Sequence, residues 1–212
     1  MQQPVLFDFH RSSASYRVRI ALNLAGIAYD TVPVDLLTQE HKTPQHLDRN
    51  PQGLVPVLEI DGHCLTQSLA ILEYLNSTRK MGWLPSEPVQ RAKLRALAYC
   101  IAVDIHPVCN SSVAQHAAHI SGNKTGVLED WMRHFIRPGL CAFEALLTGF
   151  EQDPFCTGST LSIADICLVP QLYNADRWDV NYSDCPRIID VAAACTEISA
   201  FRTAHPDAAP PA

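Results

Sequence analysis

One stretch near the N-terminus constrains the fold more than any other: an apolar run at residues 5–7, a turn rich in hydroxyl groups at residues 12–15, and then a segment with helical periodicity. Apolar residues of that last segment recur at i, i+3, i+4 and i+7: Val18, Ala21, Leu22 and Ala25. This spacing is typical of an amphipathic helix. A strand, a short turn and a helix place the Ser12 hydroxyl beside unpaired N–H groups at the positive end of the helix dipole. The stretch predicts either a site for an anion such as a thiolate or an ordinary serine cap.

Composition and charge exclude several classes of partner. The chain has 212 residues and a formal net charge of −6, and it contains no run rich in lysine and arginine. Such a surface disfavours nucleic acid and anionic membranes. No apolar stretch approaches the length of a membrane-spanning helix, and the N-terminus lacks a charged-then-apolar signal pattern. We therefore expect a cytoplasmic protein with no nucleic-acid or membrane partner.

The cysteines and histidines do not follow the spacing of a disulfide framework or a metal site. None of the eight cysteines forms a C-x-x-C pair, and Cys100, Cys141 and Cys167 lie in apolar helical runs. A thiol in such a run behaves as a small hydrophobic side chain. The nine histidines show no H-x-x-x-H or mixed cysteine–histidine ligand spacing. We expect free thiols and no metal.

The order of predicted elements divides the chain into two domains, 1–82 and 88–212. The first reads strand, helix, strand, hairpin and helix, with Pro33 favouring an edge position for the second strand and Asp61-Gly62 forming the hairpin turn. Residues 38–50 are polar and are predicted to be irregular. The segment 82–88 contains two prolines, Pro85 and Pro88, which indicate a linker.

Beyond the linker the pattern is almost wholly helical. The first apolar stripe runs to Pro107, and a second helix contains Pro138, which is expected to kink or divide it. Ser162 and Asp165 have the spacing of a capping box at the start of a third helix. A last helix is predicted over roughly residues 186–203.

Three features of the first domain are chemically complementary. Ser12 begins the hydroxyl-rich turn, Val55-Pro56 precedes a strand, and Gln67-Ser68 begins a helix. A cis Val55-Pro56 bond would leave the backbone of Val55 free to pair with an extended peptide, and the Ser68 hydroxyl could hold a carboxylate. A trans turn and an ordinary cap are the alternatives for the last two. Together the three features favour a small acidic thiol peptide, glutathione.

The same segments resemble the zeta class of glutathione transferases, which contains the maleylacetoacetate and maleylpyruvate isomerases. The class signature S-S-C-x-[WH]-R-V-R-I-A-L corresponds to residues 12–22, which read SSASYRVRIAL. Further similarities lie at Asn50-Pro51, Val55-Pro56 and residues 67–71, and in the second domain at residues 162–165 and 168–171. The resemblance therefore extends over nearly the whole chain.

This resemblance implies a thioredoxin-like α/β N-terminal domain, an all-α C-terminal domain, that is, the glutathione transferase fold, and a homodimer. Ser12 matches the serine that activates the glutathione thiol, with Ser13 and Arg11 beside it in the catalytic group. The implied glutathione contacts are His41, Val55, Pro56, Gln67 and Ser68, with Asp104 and His106 reaching glutathione across the dimer. A histidine that merely faces solvent before Pro107 is the alternative for His106.

Two positions depart from the class signature. Ala14 stands where the class usually has cysteine, so no thiol is available there, and Tyr16 replaces tryptophan or histidine. The absence of a cysteine in the Ser12–Ser15 turn disfavours a disulfide reductase or peroxidase.

The activity implied is a cis–trans isomerisation of a maleyl dienone dicarboxylate, with maleylacetoacetate as the leading substrate. Glutathione thiolate adds to the cis double bond, which becomes single, and elimination after rotation regenerates glutathione. Two carboxylates and an enolate need positive charge, for which arginine is well suited. Arg11, next to Ser12, and Arg177 are the substrate candidates, and a surface pairing of Arg177 with Asp176 or Asp179 is the alternative. Arg17 and Arg19 are predicted to be structural ion-pair partners.

Other functions remain compatible with these residues. The same thiolate serves a maleylpyruvate isomerase, or a zeta-type transferase that conjugates or dehalogenates small halo acids, and both arginines suit those substrates as well. A non-catalytic binding protein of the same fold is a further possibility, which failure to bind glutathione would favour.

Overall fold

The computed structural model describes residues 3–122 and 124–208, which divide into two units. One unit contains the described residues up to Gly82 together with those from Thr196 onward, and the other contains Trp83–Cys195. The sequence had suggested domains at 1–82 and 88–212. The structure instead groups the C-terminal residues after Cys195 with the N-terminal unit.

The first unit is built on a mixed four-stranded sheet. Its elements in chain order are β1 (Val5–Asp8), α1 (Ser13–Leu24), β2 (Asp30–Pro33), a 3₁₀ turn (Glu40–Lys42), α2 (Pro44–Arg49), β3 (Val57–Ile60), β4 (His63–Thr66) and α3 (Ser68–Arg79). The strand order is β2-β1-β3-β4, with β1 and β2 parallel and the other two pairs antiparallel. This arrangement confirms the thioredoxin-like fold, the edge position of the Pro33 strand and the hairpin at Asp61-Gly62.

The prediction of an irregular segment at residues 38–50 is wrong. That segment contains the 3₁₀ turn and α2, which begins with Pro44 in the first helical turn. The Thr43 hydroxyl accepts a hydrogen bond from the His46 N–H at 3.4 Å. A threonine cap followed by proline is a helix-start signal, but the helix is short and largely polar, so its apolar periodicity is weak.

A short C-terminal helix, α10 (Ser199–Ala204), completes the first unit. Arg19 lies behind α1, where it pairs with Asp8 at 2.7 Å and donates to the Ala204 carbonyl at 2.9 Å. Tyr16, buried on the same helix, donates to the Phe201 carbonyl at 3.4 Å. These contacts explain why the C-terminal residues belong with the first unit, and they confirm a structural ion pair for Arg19.

The second unit is helical. Its elements are α4 (Pro88–Tyr99), a π-helical segment (Cys100–Ile105), α5 (His106–Val108), α6 (Ser111–Ile120), α7 (Val127–Leu147), α8 (Ile163–Arg177) and α9 (Pro186–Thr196). The capping box at α8 is confirmed: the Ser162 hydroxyl accepts from Ala164 N–H, and Asp165 accepts from Ser162 N–H at 2.7 Å. No helix in the described ranges combines the length and the apolarity needed to cross a bilayer.

Three helix predictions in the second half need correction. α7 is not divided at Pro138, which leaves only the kink of that prediction open; α6 was not predicted, and the segment 186–203 is two helices, α9 and α10, rather than one. Residues before and after Pro138, including Ile136 and Leu140, are fully buried. Tertiary packing on both sides of the proline therefore keeps α7 in register, although the proline removes one backbone hydrogen bond.

Candidate glutathione site

Strand register brings three predicted segments to one edge of the sheet. Phe7 of β1 lies opposite Val57 of β3, and Val57 lies opposite Thr66 of β4. The turn after β1, the residues before Val57 and the residues after Thr66 therefore meet at the same edge. These are the segments that contain Ser12, Val55-Pro56 and Gln67-Ser68.

Ser12 is the N-cap of α1 and is half-buried. Its hydroxyl oxygen accepts a hydrogen bond from the Ser15 N–H at 3.3 Å, and its own N–H donates to the Phe9 carbonyl at 2.8 Å. The sequence offered a cap and an anion site as alternatives, and the geometry makes them compatible. The cap uses a lone pair of the oxygen, whereas the O–H group can donate to an incoming anion.

The residues around Ser12 differ in exposure. Ser13 is buried, and the Ser15 hydroxyl is fully buried with no hydrogen-bond partner among the described residues. Arg11 is half-buried, and its guanidinium carbon lies 5.7 Å from the centroid of the Phe9 ring. The turn thus combines the unsatisfied Ser15 hydroxyl with the positive charge of Arg11, an environment that favours an anion.

The Val55-Pro56 peptide bond is cis, so the trans alternative does not apply. The Val55 side chain packs on a cluster formed by Phe7, Val34 and Val57. In the described part of the chain, neither the N–H nor the C=O of Val55 has a hydrogen-bond partner. Since the side chain is anchored and the backbone groups are unpaired, Val55 can pair with an extended ligand.

Gln67 and Ser68 lie at the start of α3. Gln67 has a positive φ of 67°, and its amide donates to the Gln52 side-chain oxygen at 2.8 Å. Ser68 is buried, and its hydroxyl accepts a hydrogen bond from Arg17 Nη1 at 3.3 Å. Because Arg17 is only 1% exposed, a full positive charge lies directly behind the serine that was predicted to hold a carboxylate.

His41 lies in the 3₁₀ turn, next to the turn that leads to Val55. A side chain at Gly53, whose φ is +60°, would come within 2.9 Å of the His41 carbonyl oxygen. Lys42 Nζ donates to the Gly53 carbonyl at 3.2 Å, which fixes the two turns together. His41 Nδ1 is buried without a partner among the described residues. Burial, followed by the charges of Lys42 and His46, lowers the pKa of His41 and keeps its ring neutral at pH 7.

The three remaining predicted residues belong to the second unit. Asp104 is exposed in the π-helical segment, and His106 is half-buried at the start of α5. Arg177 is exposed at the end of α8, with its guanidinium carbon 6.0 Å from the centroid of the Tyr173 ring. The acidic residues that were its alternative partners contact other groups: Asp176 accepts from the Tyr182 hydroxyl and Asp179 pairs with Arg133.

Sequence reasoning missed two participants in this site. Arg17 was predicted only as a structural ion-pair partner, and its hydrogen bond to the Ser68 hydroxyl was not foreseen; Gln52 was treated only as part of a turn. An arginine on the apolar side of α1 was the available signal for the first, since a buried charge needs a partner. Within the residues described, no group of three or more histidine, cysteine or acidic side chains could hold a metal ion.

Comparison with known proteins agrees with this geometry. Residues 3–77 match the model of the glutathione S-transferase N-terminal domain. Over 210 residues the chain is 54% identical to the maleylacetoacetate isomerase of Rhizobium meliloti, with 99% of each chain covered. The chain belongs to the maleylacetoacetate isomerase family.

Two solved structures extend the comparison with this family. A holo maleylpyruvate isomerase, described as a bacterial zeta-class glutathione S-transferase, matches with a TM-score of 0.93, 38% identity and coverage of 97% of this chain and 98% of the other. A maleylacetoacetate isomerase from Anaeromyxobacter dehalogenans matches with a TM-score of 0.85, 37% identity and coverage of 99% and 98%. The latter has dicarboxyethyl glutathione and citrate bound in its active site. The zeta-class resemblance and the fold are therefore confirmed.

Proposed function

We propose that this protein is a glutathione-dependent cis–trans isomerase that converts a maleyl dienone dicarboxylate, maleylacetoacetate, to its fumaryl isomer. The observation that carries the proposal is the shared sheet edge: a helix-capping serine, an unpaired backbone at Val55 and a serine backed by buried Arg17. Identity to the Rhizobium enzyme along the full chain supports the same reaction.

The described residues fit glutathione, as judged by the polar groups that they leave unsatisfied. Glutathione supplies a thiolate that adds reversibly to the substrate double bond, so that rotation about that bond becomes possible. Ser12 donates a hydrogen bond that stabilises the thiolate, and the first-turn amides of α1, around Ser13, contribute the helix dipole. Both effects raise the fraction of thiolate at neutral pH.

The peptide part of glutathione is held by the other segments of the edge. Val55 pairs through its N–H and C=O, with Pro56 fixing the chain that follows, and Ser68 with Gln67 binds a carboxylate. Arg17 orients the Ser68 hydroxyl and adds charge from behind. The neutral ring of His41 offers Nδ1 as a further contact.

Substrate binding is assigned to arginines. A dicarboxylate substrate and the enolate formed from it need fixed positive charge, and the two candidates to supply it are Arg11, next to Ser12, and Arg177, at the end of α8. The ligand reported for the Anaeromyxobacter enzyme supports this chemistry, because dicarboxyethyl glutathione has a dicarboxylate joined to the glutathione sulfur.

Maleylpyruvate is the second candidate substrate. The structural neighbour with a TM-score of 0.93 is a maleylpyruvate isomerase. Maleylpyruvate and maleylacetoacetate are both cis-configured dicarboxylates that the same thiolate and the same arginines would accept.

We also propose a homodimer, in the cytoplasm, in which Asp104 and His106 of one subunit contact glutathione bound to the other. Tyr99 and Val103 are exposed apolar residues one helical turn apart beside Asp104, as expected of a face that is covered in an assembly. Light scattering should give twice the mass of the chain, and a monomer would refute the cross-subunit role of both residues.

The deciding experiment measures isomerisation of maleylacetoacetate by the purified protein with and without catalytic amounts of glutathione. We expect turnover that requires glutathione and leaves its concentration unchanged. A matched control replaces glutathione with 2-mercaptoethanol, which has the thiol but lacks the peptide, and should support little turnover. Parallel assays use maleylpyruvate and a small chloro acid. Consumption of glutathione with chloride release, and no isomerisation, would replace the proposal by a dehalogenating transferase.

A further inference from the structure

Two cysteines of the second unit lie around one arginine, far along the chain from the predicted glutathione residues. Arg137 and Cys141 are one turn apart on α7, and Asp184 and Cys185 immediately precede α9. Arg137 Nη1 donates to the Cys141 sulfur at 2.6 Å and to the Cys185 sulfur at 3.5 Å. Since both sulfurs contact one nitrogen atom, they lie within about 6 Å of each other.

The segment that contains Cys185 is held firmly against α7. Arg137 Nη2 binds both carboxylate oxygens of Asp184, at 2.7 and 2.6 Å. Glu144, further along α7, accepts hydrogen bonds from the Arg187 and Ile188 N–H groups at 3.1 and 2.9 Å. These contacts hold the segment that carries Cys185 against α7, so the two thiols stay close to each other.

The two thiols differ in the way that distinguishes an attacking cysteine from a resolving one. Cys141 is exposed and accepts a hydrogen bond from the Arg137 guanidinium, whereas Cys185 is 2% exposed. Burial raises the pKa of Cys185, and the hydrogen bond from Arg137 opposes that effect. Cys64 is also exposed overall. Even so, its partial burial raises the pKa of its thiol, and the Glu59 carboxylate raises that pKa further.

We propose that Cys141 and Cys185 form a redox-active thiol pair that glutathione disulfide oxidises to an intramolecular disulfide. The Cys141 thiolate attacks one sulfur of glutathione disulfide, forms a mixed disulfide and displaces one glutathione thiolate. Cys185, losing its proton, then attacks the Cys141 sulfur and displaces the second. Two cysteine thiols are oxidised, and glutathione disulfide is reduced to two glutathione molecules, which take up the two thiol protons.

The test incubates the full-length protein with glutathione disulfide at pH 7, alkylates the remaining thiols and maps the peptides by mass spectrometry. In the wild type we expect six alkylated cysteines and one disulfide joining Cys141 to Cys185. Cys185→Ser should stop at a stable glutathione adduct on Cys141, and Cys141→Ser should leave Cys185 unmodified. Cys64→Ser is the matched control, an exposed cysteine outside the pair, and should react as the wild type does.

Arg137→Gln tests the role of the guanidinium separately. Losing the guanidinium that contacts the Cys141 sulfur should slow the reaction of Cys141 with glutathione disulfide at pH 7 by about tenfold. Eight alkylated cysteines in the treated wild type, a glutathione adduct that persists on Cys141, or equally fast reaction at Cys64 would each overturn the proposal. None of these outcomes depends on isomerase activity, so the proposed function is tested independently.

Discussion

Some residues at the sheet edge have more than one role, and Ser12 is the clearest example. Its hydroxyl caps α1 and is also the predicted donor to the glutathione thiolate. A substitution there should therefore change both stability and turnover. The effects on stability and on turnover can be separated by comparing Ser12 with a helix cap elsewhere in the chain.

Ser12→Ala should lower isomerase kcat by about 10²-fold or more, the usual effect of removing one donor to a reacting anion. The lost cap should cost about 1 kcal/mol of unfolding free energy. The control is Glu87→Ala: the Glu87 carboxylate caps α4 by accepting from Val89 and Gln90 N–H at 2.8 and 2.6 Å. The Glu87→Ala variant should lose a similar amount of stability while its kcat stays unchanged. An equal loss of kcat in both variants would show that Ser12 acts only as a cap.

Arg17 and Ser68 should act on glutathione binding as a coupled pair. Ser68→Ala should weaken glutathione binding about tenfold, as for loss of one hydrogen bond to a carboxylate, with kcat at saturation little changed. Because Arg17 donates to the Ser68 hydroxyl, the double variant Ser68→Ala with Arg17→Met should weaken glutathione binding by less than the product of the two single-variant factors. Titration calorimetry of the four proteins measures this coupling. Strict additivity would mean that Arg17 does not act through Ser68.

At the scale of elements, buried polar contacts decide which segments pack together. Asp8 and Arg19 have side chains only 3% exposed, and Arg19 also donates to the His10 and Ala204 carbonyls. One guanidinium thus joins β1, α1 and α10. Burying such a charge is favourable only while its partners remain in place.

Asp8→Asn should destabilise the protein by about 3–5 kcal/mol, because the Arg19 charge stays buried without its carboxylate. The matched control breaks an ion pair near the surface: Arg79→Met removes the 2.6 Å contact with Asp61 and should cost less than about 1 kcal/mol. Urea unfolding measures both. A small effect of Asp8→Asn would show that water reaches the pair.

Gly139 permits the close approach of α7 to the π-helical segment. A Cβ at this position would lie 2.4 Å from the Cδ1 and Cγ1 atoms of Ile105. Gly139→Ala should therefore destabilise the protein by about 1–3 kcal/mol despite its better helix propensity. Adding Ile105→Ala should recover part of that loss, whereas Gly149→Ala, which meets only ordinary contact at 3.4 Å, should be nearly neutral. Thermal unfolding distinguishes the three variants.

At the scale of the whole molecule, burial controls thiol chemistry. All eight cysteines are free, but only Cys64 and Cys141 are exposed. Burial raises the pKa of Cys109 to about 11, and it also raises the pKa values of Cys156 and Cys195. At pH 7 these three thiols are thus both protonated and inaccessible.

An alkylating reagent such as N-ethylmaleimide, which forms no mixed disulfide, should react rapidly with two cysteines in the native protein and with all eight after unfolding in guanidinium chloride. Cys64→Ser and Cys141→Ser should each remove one rapid equivalent. Because burial rather than charge protects the remaining thiols, their slow reaction should follow the rate of unfolding as denaturant is added. Three or more rapid equivalents at neutral pH would contradict this account.

The sequence by itself determined the caps and turns that depend on groups close together in the chain. The Ser12 cap, the Asp61-Gly62 hairpin and the Ser162–Asp165 capping box depend on groups a few residues apart, and all are present. The proline at position 56 also allowed a cis bond at Val55-Pro56, and the family signature at residues 12–22 indicated glutathione as the ligand. These patterns predicted the zeta class and the segments that meet at the sheet edge.

Tertiary structure alone decided what depends on partners distant in the chain. Arg17 and Ser68 are 51 residues apart, and Arg19 reaches Ala204 across 185. α7 also continues through Pro138, and packing brings Cys141 to Cys185 around Arg137. Periodicity and propensity describe how a segment buries its own apolar face, but a buried charge or a thiol is defined by the groups that another segment brings to it.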